Sequence, residues 1–309
     1  MQRTAAVILG IAALVAVGVI AFLLLSPPPA EQPPDATAEP TASAAPTASA
    51  TLNAELLERR WTILYVGTDL NERREAEGAT LNTDALMLVS LSADQSRLTL
   101  VSLPRDTVDI PLEDGGLYDR KINGLYAERG MEALVGDMET LYGVPIDAHL
   151  LLDMDDFAAL VDAVDGVEVS PDEPLVDPIV NLDLEPGPQE LDAGQTLGYV
   201  RTRVDQDYGR MGRQQEVLVA LVEKLVDPET DLDLPALIDG LDSLETDVPL
   251  DQLPTLIELA RRATDAEVVN LLIEPPLITF EGDRGDGRGY VLEPDVEAIR
   301  TEVQELIGE

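Results

Sequence analysis

The chain has 309 residues, no cysteine, one histidine, and 20 Lys plus Arg against 60 Asp plus Glu, for a formal net charge of -40. Thiol chemistry and disulfide staples are excluded, and a multi-His zinc site cannot be built from one His. A chain this acidic repels a polyanion and lacks the Lys and Arg that neutralise phosphates, which argues against nucleic acid as a partner.

Residues 5–25, "AAVILGIAALVAVGVIAFLLL", are uncharged and apolar throughout. At 1.5 Å rise per residue they span roughly 30 Å, a bilayer core. A cleaved signal has a shorter apolar run, about 7–15 residues, before a small-residue cleavage site. Here the run leads directly into Ser26-Pro27-Pro28-Pro29. It reads as an uncleaved signal anchor, a single transmembrane helix. Arg3 makes residues 1–4 the cytoplasmic tip and leaves the remainder extracytoplasmic at the cell membrane. Residues 26–51 hold seven prolines among Ala, Thr and Ser. They cannot build a core and read as a disordered stalk reaching at most roughly 80 Å.

The folded part starts at 52. "WTILYVGTD" (61–69) predicts a buried strand with Asp69 just past its end, and residues 70–82 a polar loop. Two apolar strands, 85–92 and 97–103, are joined by "SADQS", a hairpin-length connection. Pro104 ends the second, so Arg105 and Asp106 also stand at a strand end. Residues 121–130 and 131–143 predict helix stopped by Gly143, then a strand at 146–153 and a helix over 154–166. The single His149 lies in that strand, where a structural role is expected. "VEVS" reads as a short strand, and the Pro-rich stretch 171–194 as a surface loop. Helix resumes at 194–201, and a strongly amphipathic helix covers 213–226. Further helices are expected at 232–244, 250–264 and 293–307, a strand at 266–273, and a loop at 281–289. Alternating strands and helices predict an α/β fold, and the hairpin makes its central sheet mixed.

Positive charge is distributed unevenly. Residues 130–200 contain no Lys or Arg, and then Arg201, Arg203, Arg210 and Arg213 fall within thirteen positions. Arginines this close repel each other unless an anion sits among them. Asp205 and Asp207 could serve, making a surface network. An external anion is the other reading, because the guanidinium fork donates two parallel hydrogen bonds and keeps its charge. Residues 204–209 read as a turn feeding the helix at 213, whose N-terminus would favour an anion. Asp69, Asp84, Arg105 and Asp106 at strand ends are either turn residues or a site, since ligands of open α/β sheets bind there. Asp69 and Asp84 can hold Mg²⁺, which takes one or two carboxylates and completes its shell with water and phosphate. Carboxylates with arginines are the usual kit for phosphoryl transfer. No Walker loop suggests ATP.

Several motifs, in order and spacing, resemble the LytR-CpsA-Psr family over residues 62–226. They are Pro-Arg-Asp at 104–106, Lys121-Ile122-Asn123, and the Tyr-Val-Arg-x-Arg to Gly-Arg-x-x-Arg-Gln block at 199–214. The resemblance implies a mixed sheet between helix layers and an extracytoplasmic phosphotransferase of envelope assembly. Such an enzyme moves a glycopolymer with its phosphate from a polyprenyl-pyrophosphate carrier onto peptidoglycan or a similar acceptor. It implies a long apolar pocket for the lipid, with the pyrophosphate at its mouth. Carried over by motif, Asp69 and Asp84 are Mg²⁺ ligands, and Arg105, Arg201, Arg203 and Arg210 grip the pyrophosphate. Asp106, Lys121, Arg213 and Gln214 surround it, with Arg105, Asp106 and Asp84 the catalytic group. Members commonly carry Arg-Ser-Asp-Thr where this chain has Asn82-Thr83-Asp84-Ala85. The same residues would serve a pyrophosphate hydrolase or a non-catalytic binding module. A transcription regulator is opposed by the anchor, the charge and the lack of a basic recognition helix. The resemblance divides the chain into a catalytic domain at 52–230 and a C-terminal α/β extension at 231–309 packed on it.

Overall fold

A computed structural model describes residues 52–69, 81–227, 229–230, 232–233, 244–249, 252–263 and 265–308. The expected membrane segment at 5–25, the stalk, most of the 70–82 loop and most of the helix at 232–244 lie outside these residues. Among the described residues, no helix is long and apolar enough to cross a membrane.

A short helix, α1 (Ala54–Leu57), precedes strand β1 (Trp61–Thr68), and β2 (Thr83–Leu91) and β3 (Arg97–Ser102) follow as the expected hairpin. After the short pair β4 (Ile110–Pro111) and β5 (Leu117–Tyr118), a 3-10 turn at Ile122–Gly124 enters α2 (Leu125–Tyr142). Gly130, at φ 80 and ψ 175, kinks α2 between the two helical stretches expected from sequence. Gly143 ends it in the left-handed region at φ 69, a conformation that favours glycine. Next come β6 (Ala148–Leu152), α3 (Met154–Ala163) and β7 (Val167–Val169).

Three expectations need correction. Residues 171–194 are not irregular loop. They contain β8 (Leu175–Asp177), β9 (Leu182–Leu184) and β10 (Gln189–Leu191), followed by α4 (Ala193–Arg201). The strands are three residues long and separated by prolines, which hides their alternation of buried and exposed positions. The helix expected from 213 is α5 (Gln206–Val226), seven residues longer at its start. Gly209 and Gly212 lower helix propensity there and mask the beginning. The tail adds β11 (Glu245–Thr246), α6 (Leu253–Ala263), β12 (Glu267–Leu272), β13 (Ile278–Asp283), β14 (Tyr290–Pro294) and α7 (Val296–Ile307). The 281–289 stretch is therefore part hairpin strand rather than wholly loop.

The main sheet has the order β11-β6-β1-β2-β3-β12. β2 is antiparallel to both of its neighbours, β1 and β3, while β1 with β6 and β3 with β12 run parallel. The sheet is mixed, as expected. Side chains alternate along β1. Trp61, Ile63 and Tyr65 face α3, α4, α5 and α6, whereas Leu64 and Val66 face α2 and α7. Two cores thus flank one sheet, giving three layers. Residues after 230 supply both edge strands, β11 and β12.

Candidate functional site

The topology brings four strand ends to one edge. β1 leaves the sheet at Thr68, where antiparallel β2 enters at Thr83. β3 exits beside the start of β2, with the Leu103 amide donating to the Leu86 carbonyl at 3.0 Å. Parallel β6 ends level with β1, pairing Gly67 with Leu152. Asp69, Asp84, Arg105 and Asp153 therefore occupy one edge although they span 84 positions of sequence.

All four line a cavity of about 300 Å³ between the sheet and helices α3, α4 and α5. Its lining also includes Arg201, Arg203, Arg210 and Gln214, together with Tyr65, Ala85, Phe157, Leu197 and Leu218. The cavity is two-natured, lined partly by apolar side chains and partly by arginines that gather about Asp84 and Asp207. His149 lies elsewhere, on β6, with Nδ1 3.1 Å from Asp247 Oδ1. That placement fits the structural role expected for it.

Each charged group is held differently. Asp69 is 5% exposed. It accepts from the Asn82 backbone amide at 3.0 Å and from the Asn82 side-chain amide at 3.3 Å. Asn82 thus positions Asp69, which sequence reasoning did not anticipate. Arg105 Nη1 donates to Asp84 Oδ1, and its buried Nε has no hydrogen-bond partner. Burial pulls the Arg105 pKa down, but Asp84, Asp106 and Asp207 outweigh it and the net shift is upward. Arg210 is 2% exposed. It forks onto Asp207 with two bonds of 3.0 Å and donates to the Asp84 carbonyl at 2.6 Å. This ties the first turn of α5 to the start of β2. Arg203 lies 3.5 Å from Asp207. Burial, then the like charges of Arg210 and Arg105, lower its pKa. Arg203 thus has Arg210 and Arg105 as well as Asp207 and Asp84 for electrostatic neighbours.

Three expected residues do not line the cavity. Lys121 pairs with Asp106 at 2.9 Å, beside Arg105. Arg213 donates to the carbonyls of Tyr199 at 2.8 Å and Thr202 at 2.6 Å, and to Asp205 Oδ2 at 2.5 Å. Its fork closes the α4–α5 junction and so sets Arg201 and Arg203 in place. The N-terminus of α5 is at Gln206, with Asp207 in its first turn, and this carboxylate complements the helix dipole. Asp153 was missed, although the strand-end rule that selects Asp69 applies equally to "LLLD" at 150–153. Among the described residues, no cluster of three or more metal-ligating side chains occurs.

Residues 31–304 match a family model described as the LytR_cpsA_psr family. The match extends well past residue 226, where the sequence motifs end. Over 151 residues, the chain is 38% identical to "Probable cell wall biosynthesis protein LcpB" of Corynebacterium glutamicum, covering 48% of this chain and 35% of that protein. The chain thus spans well under two thirds of that relative's length. Over 247 residues it is 28% identical to the polyisoprenyl-teichoic acid–peptidoglycan teichoic acid transferase TagU of Halalkalibacterium halodurans, covering 78% of this chain and 77% of that one. The crystal structure of Bacillus subtilis TagV aligns with a TM-score of 0.63 at 22% identity, covering 81% of this chain and 98% of that one. This is a likeness of fold.

Proposed function

The chain belongs to the LytR-CpsA-Psr family, and from that premise we propose that it transfers a glycopolymer, with its phosphate, from a polyprenyl-pyrophosphate carrier to peptidoglycan or a similar wall acceptor. The observation that carries this reading is the cavity. Its walls at Tyr65, Phe157, Leu197 and Leu218 suit an isoprenoid tail, and Arg105, Arg201, Arg203 and Arg210 at its end suit a pyrophosphate. The unpartnered buried Nε of Arg105 calls for an acceptor, and Arg203, on the same cavity lining, can share it.

In the proposed step, an acceptor hydroxyl attacks the phosphorus that bears the sugar. A new P–O bond forms, the bond from that phosphorus to the bridging oxygen breaks, and polyprenyl phosphate leaves with that oxygen. The arginines neutralise charge growing on the leaving phosphate. Removing one such donor typically costs about 10²–10³ in rate. The hydroxyl proton passes to a carboxylate at this end, either Asp84 on the cavity wall or Asp106 beside it. Lys121 orients Asp106, Gln214 lies at the arginine end, and Arg213 acts through the α4–α5 junction.

Asp69 and Asp84 fit a Mg²⁺ ion in their donor chemistry, since two carboxylates beside a phosphate site meet its usual needs. When bound, the ion would neutralise phosphate charge and help to orient the phosphoryl group. Residues 5–25 would anchor the protein in the cell membrane with the folded part outside, bringing the cavity to a lipid-borne substrate.

The test incubates the detergent-solubilised full chain with a short-chain polyprenyl-pyrophosphate-linked sugar, peptidoglycan fragments and Mg²⁺. Released polyprenyl phosphate together with sugar phosphate joined to the acceptor is the expected result. Free sugar phosphate, even with acceptor in excess, would make the protein a hydrolase. Tight carrier binding without turnover would make it a binding module.

A further inference from the structure

The hairpin β13–β14 is joined to the segment that carries Arg105. The Leu292 amide donates to the Asp106 carbonyl at 3.1 Å, and the Val108 amide donates to the Leu292 carbonyl at 3.0 Å. In this hairpin Glu281 faces Leu292 and Asp283 faces Tyr290. Glu281 and Tyr290 are therefore diagonal neighbours on one face. Tyr208, next to Asp207 in the first turn of α5, donates its hydroxyl to Glu281 Oε1. The hairpin loop is also secured, because Arg288 reaches Asp109 at 3.2 Å and the Asp119 carbonyl at 3.1 Å.

Two properties of this surface stand out. Tyr290 is 53% exposed, and among the described residues it is the only aromatic side chain with that much open surface. The charges around it are negative. Burial first, then Glu281 and Asp106, raise its phenol pKa, with Asp207 contributing in the same direction. A second anion would be repelled here, so the surface does not suit the carrier's phosphates. A neutral, hydroxyl-rich ligand suits it. The ring presents an apolar face, and the carboxylates accept hydrogen bonds from hydroxyls. Asp106 follows Arg105 in the chain, and Asp207 holds Arg210, so the surface adjoins the arginine end of the cavity.

We propose that Tyr290, with Glu281 and Tyr208, forms the subsite for the acceptor glycan: a neutral sugar ring stacks on Tyr290, and its hydroxyls bond to the Glu281 carboxylate. The inference rests on the transferase reading and assigns the second substrate to the C-terminal hairpin. The glycan enters along β13–β14, while the carrier occupies the cavity under α3 and α4. The phosphoryl centre lies between them.

The test uses the full chain in detergent and a neutral tetrasaccharide of β-1,4-linked N-acetylhexosamine, with binding followed by saturation-transfer NMR and calorimetry. Tyr290→Ala is expected to weaken tetrasaccharide binding at least tenfold, and Tyr290→Trp to retain it. Val176→Ser, at another exposed apolar position, is expected to match wild type. Farnesyl pyrophosphate, which probes the cavity, is expected to bind Tyr290→Ala as it binds wild type. No tetrasaccharide binding by wild type, or equal binding by wild type and Tyr290→Ala, overturns the proposal. Loss of farnesyl pyrophosphate binding in Tyr290→Ala also overturns it, by making Tyr290 part of the carrier site. If tetrasaccharide binding depends on Tyr290 but no transfer is seen, the subsite stands and the transferase reading fails.

Discussion

The two faces of the central sheet are built from the same apolar residue types and reach opposite ends. On the α2 and α7 face, Leu64, Val66, Leu86 and Leu88 meet Leu134, Met138, Ile299 and Val303, none more than 4% exposed. On the other face, Trp61 and Ile63 pack equally well, but the strands finish in Gly67 and Ala85, which pair across β1 and β2. A Cβ on Gly67 would lie 3.0 Å from the Ala85 Cβ and 3.4 Å from the Tyr65 hydroxyl. Gly67 and Ala85 both line the cavity, so the smallest side chains stand at the strand ends, where the charged residues gather. The difference teaches how a layered α/β protein makes room for a cavity on one face of its sheet. It leaves one half-face short of side chains and closes the remainder with helices.

The sharpest way to break this comparison is to remove a cation from the open face. Arg105→Ala should lower transfer by about 10²–10³, the usual cost of losing one donor to developing charge. Its melting temperature should stay close to wild type, because Arg105 serves the cavity rather than the core. Release of polyprenyl phosphate, measured beside a thermal melt, checks both halves. A large loss of stability with intact turnover would assign Arg105 to the fold instead. Stability should show the reverse contrast. Leu134→Ala on the filled face leaves a cavity and should cost about 2–5 kcal/mol. Leu197→Ala, on the wall of an existing cavity, should cost about 1 kcal/mol or less. Urea unfolding compares them, and equal losses would mean that the cavity wall is packed like the opposite core.

Much of this was legible in sequence. The hairpin of β2 and β3 fixed the mixed character of the sheet, and strand-end carboxylates pointed to Asp69 and Asp84. The arginine block pointed to one region because its charge density stands out against 71 residues without a cation. The split of the apolar residues into lining and core was not legible, since Leu197 and Leu134 have the same side chain. The roles of Arg210 and Arg213 were also hidden. Both lie near the start of α5, yet one lines the cavity and the other is spent on the Tyr199 and Thr202 carbonyls. Spacing alone does not separate them, because the helix begins before the apolar pattern does. The bonds of Asn82 to the Asp69 carboxylate were hidden too, because they appear only once β1 and β2 are paired.

A smaller effect sharpens the comparison from the open side. Ala85→Leu adds volume next to Gly67, on the wall of the cavity. Farnesyl pyrophosphate affinity should fall about tenfold, or about 1.4 kcal/mol, with little change in melting temperature. A calorimetric titration checks this. Unchanged affinity would place the lipid away from Ala85 and the β1–β2 pair.

The smallest predicted effect concerns the filled face, which carries a charge of its own. Asp137 on α2 is fully buried. It accepts from the Glu113 amide at 2.9 Å, and its Oδ2 lies 3.6 Å from Arg129 Nε without a hydrogen bond. Burial raises its pKa, and the Glu113 amide and Arg129 offset this only in part. An acid with a raised pKa in the fold opposes folding when ionised. The penalty is absent below the unfolded-state pKa, develops as pH rises from the unfolded-state to the folded-state pKa, and is complete above the latter. Asp137→Asn keeps an acceptor for the Glu113 amide and removes the charge, and Arg129 retains Asp114 at 3.1 Å. Its melting temperature should therefore exceed wild type at pH 8 by about 2–4 °C, the shift that roughly 1 kcal/mol produces in a domain of this size. At pH 3, below the ordinary Asp pKa of about 3.9, the two should melt much closer together. A gain of equal size at both pH values would mean that the carboxylate is not paying for its burial as a charge. The filled face would then be as free of electrostatic strain as its packing is free of space.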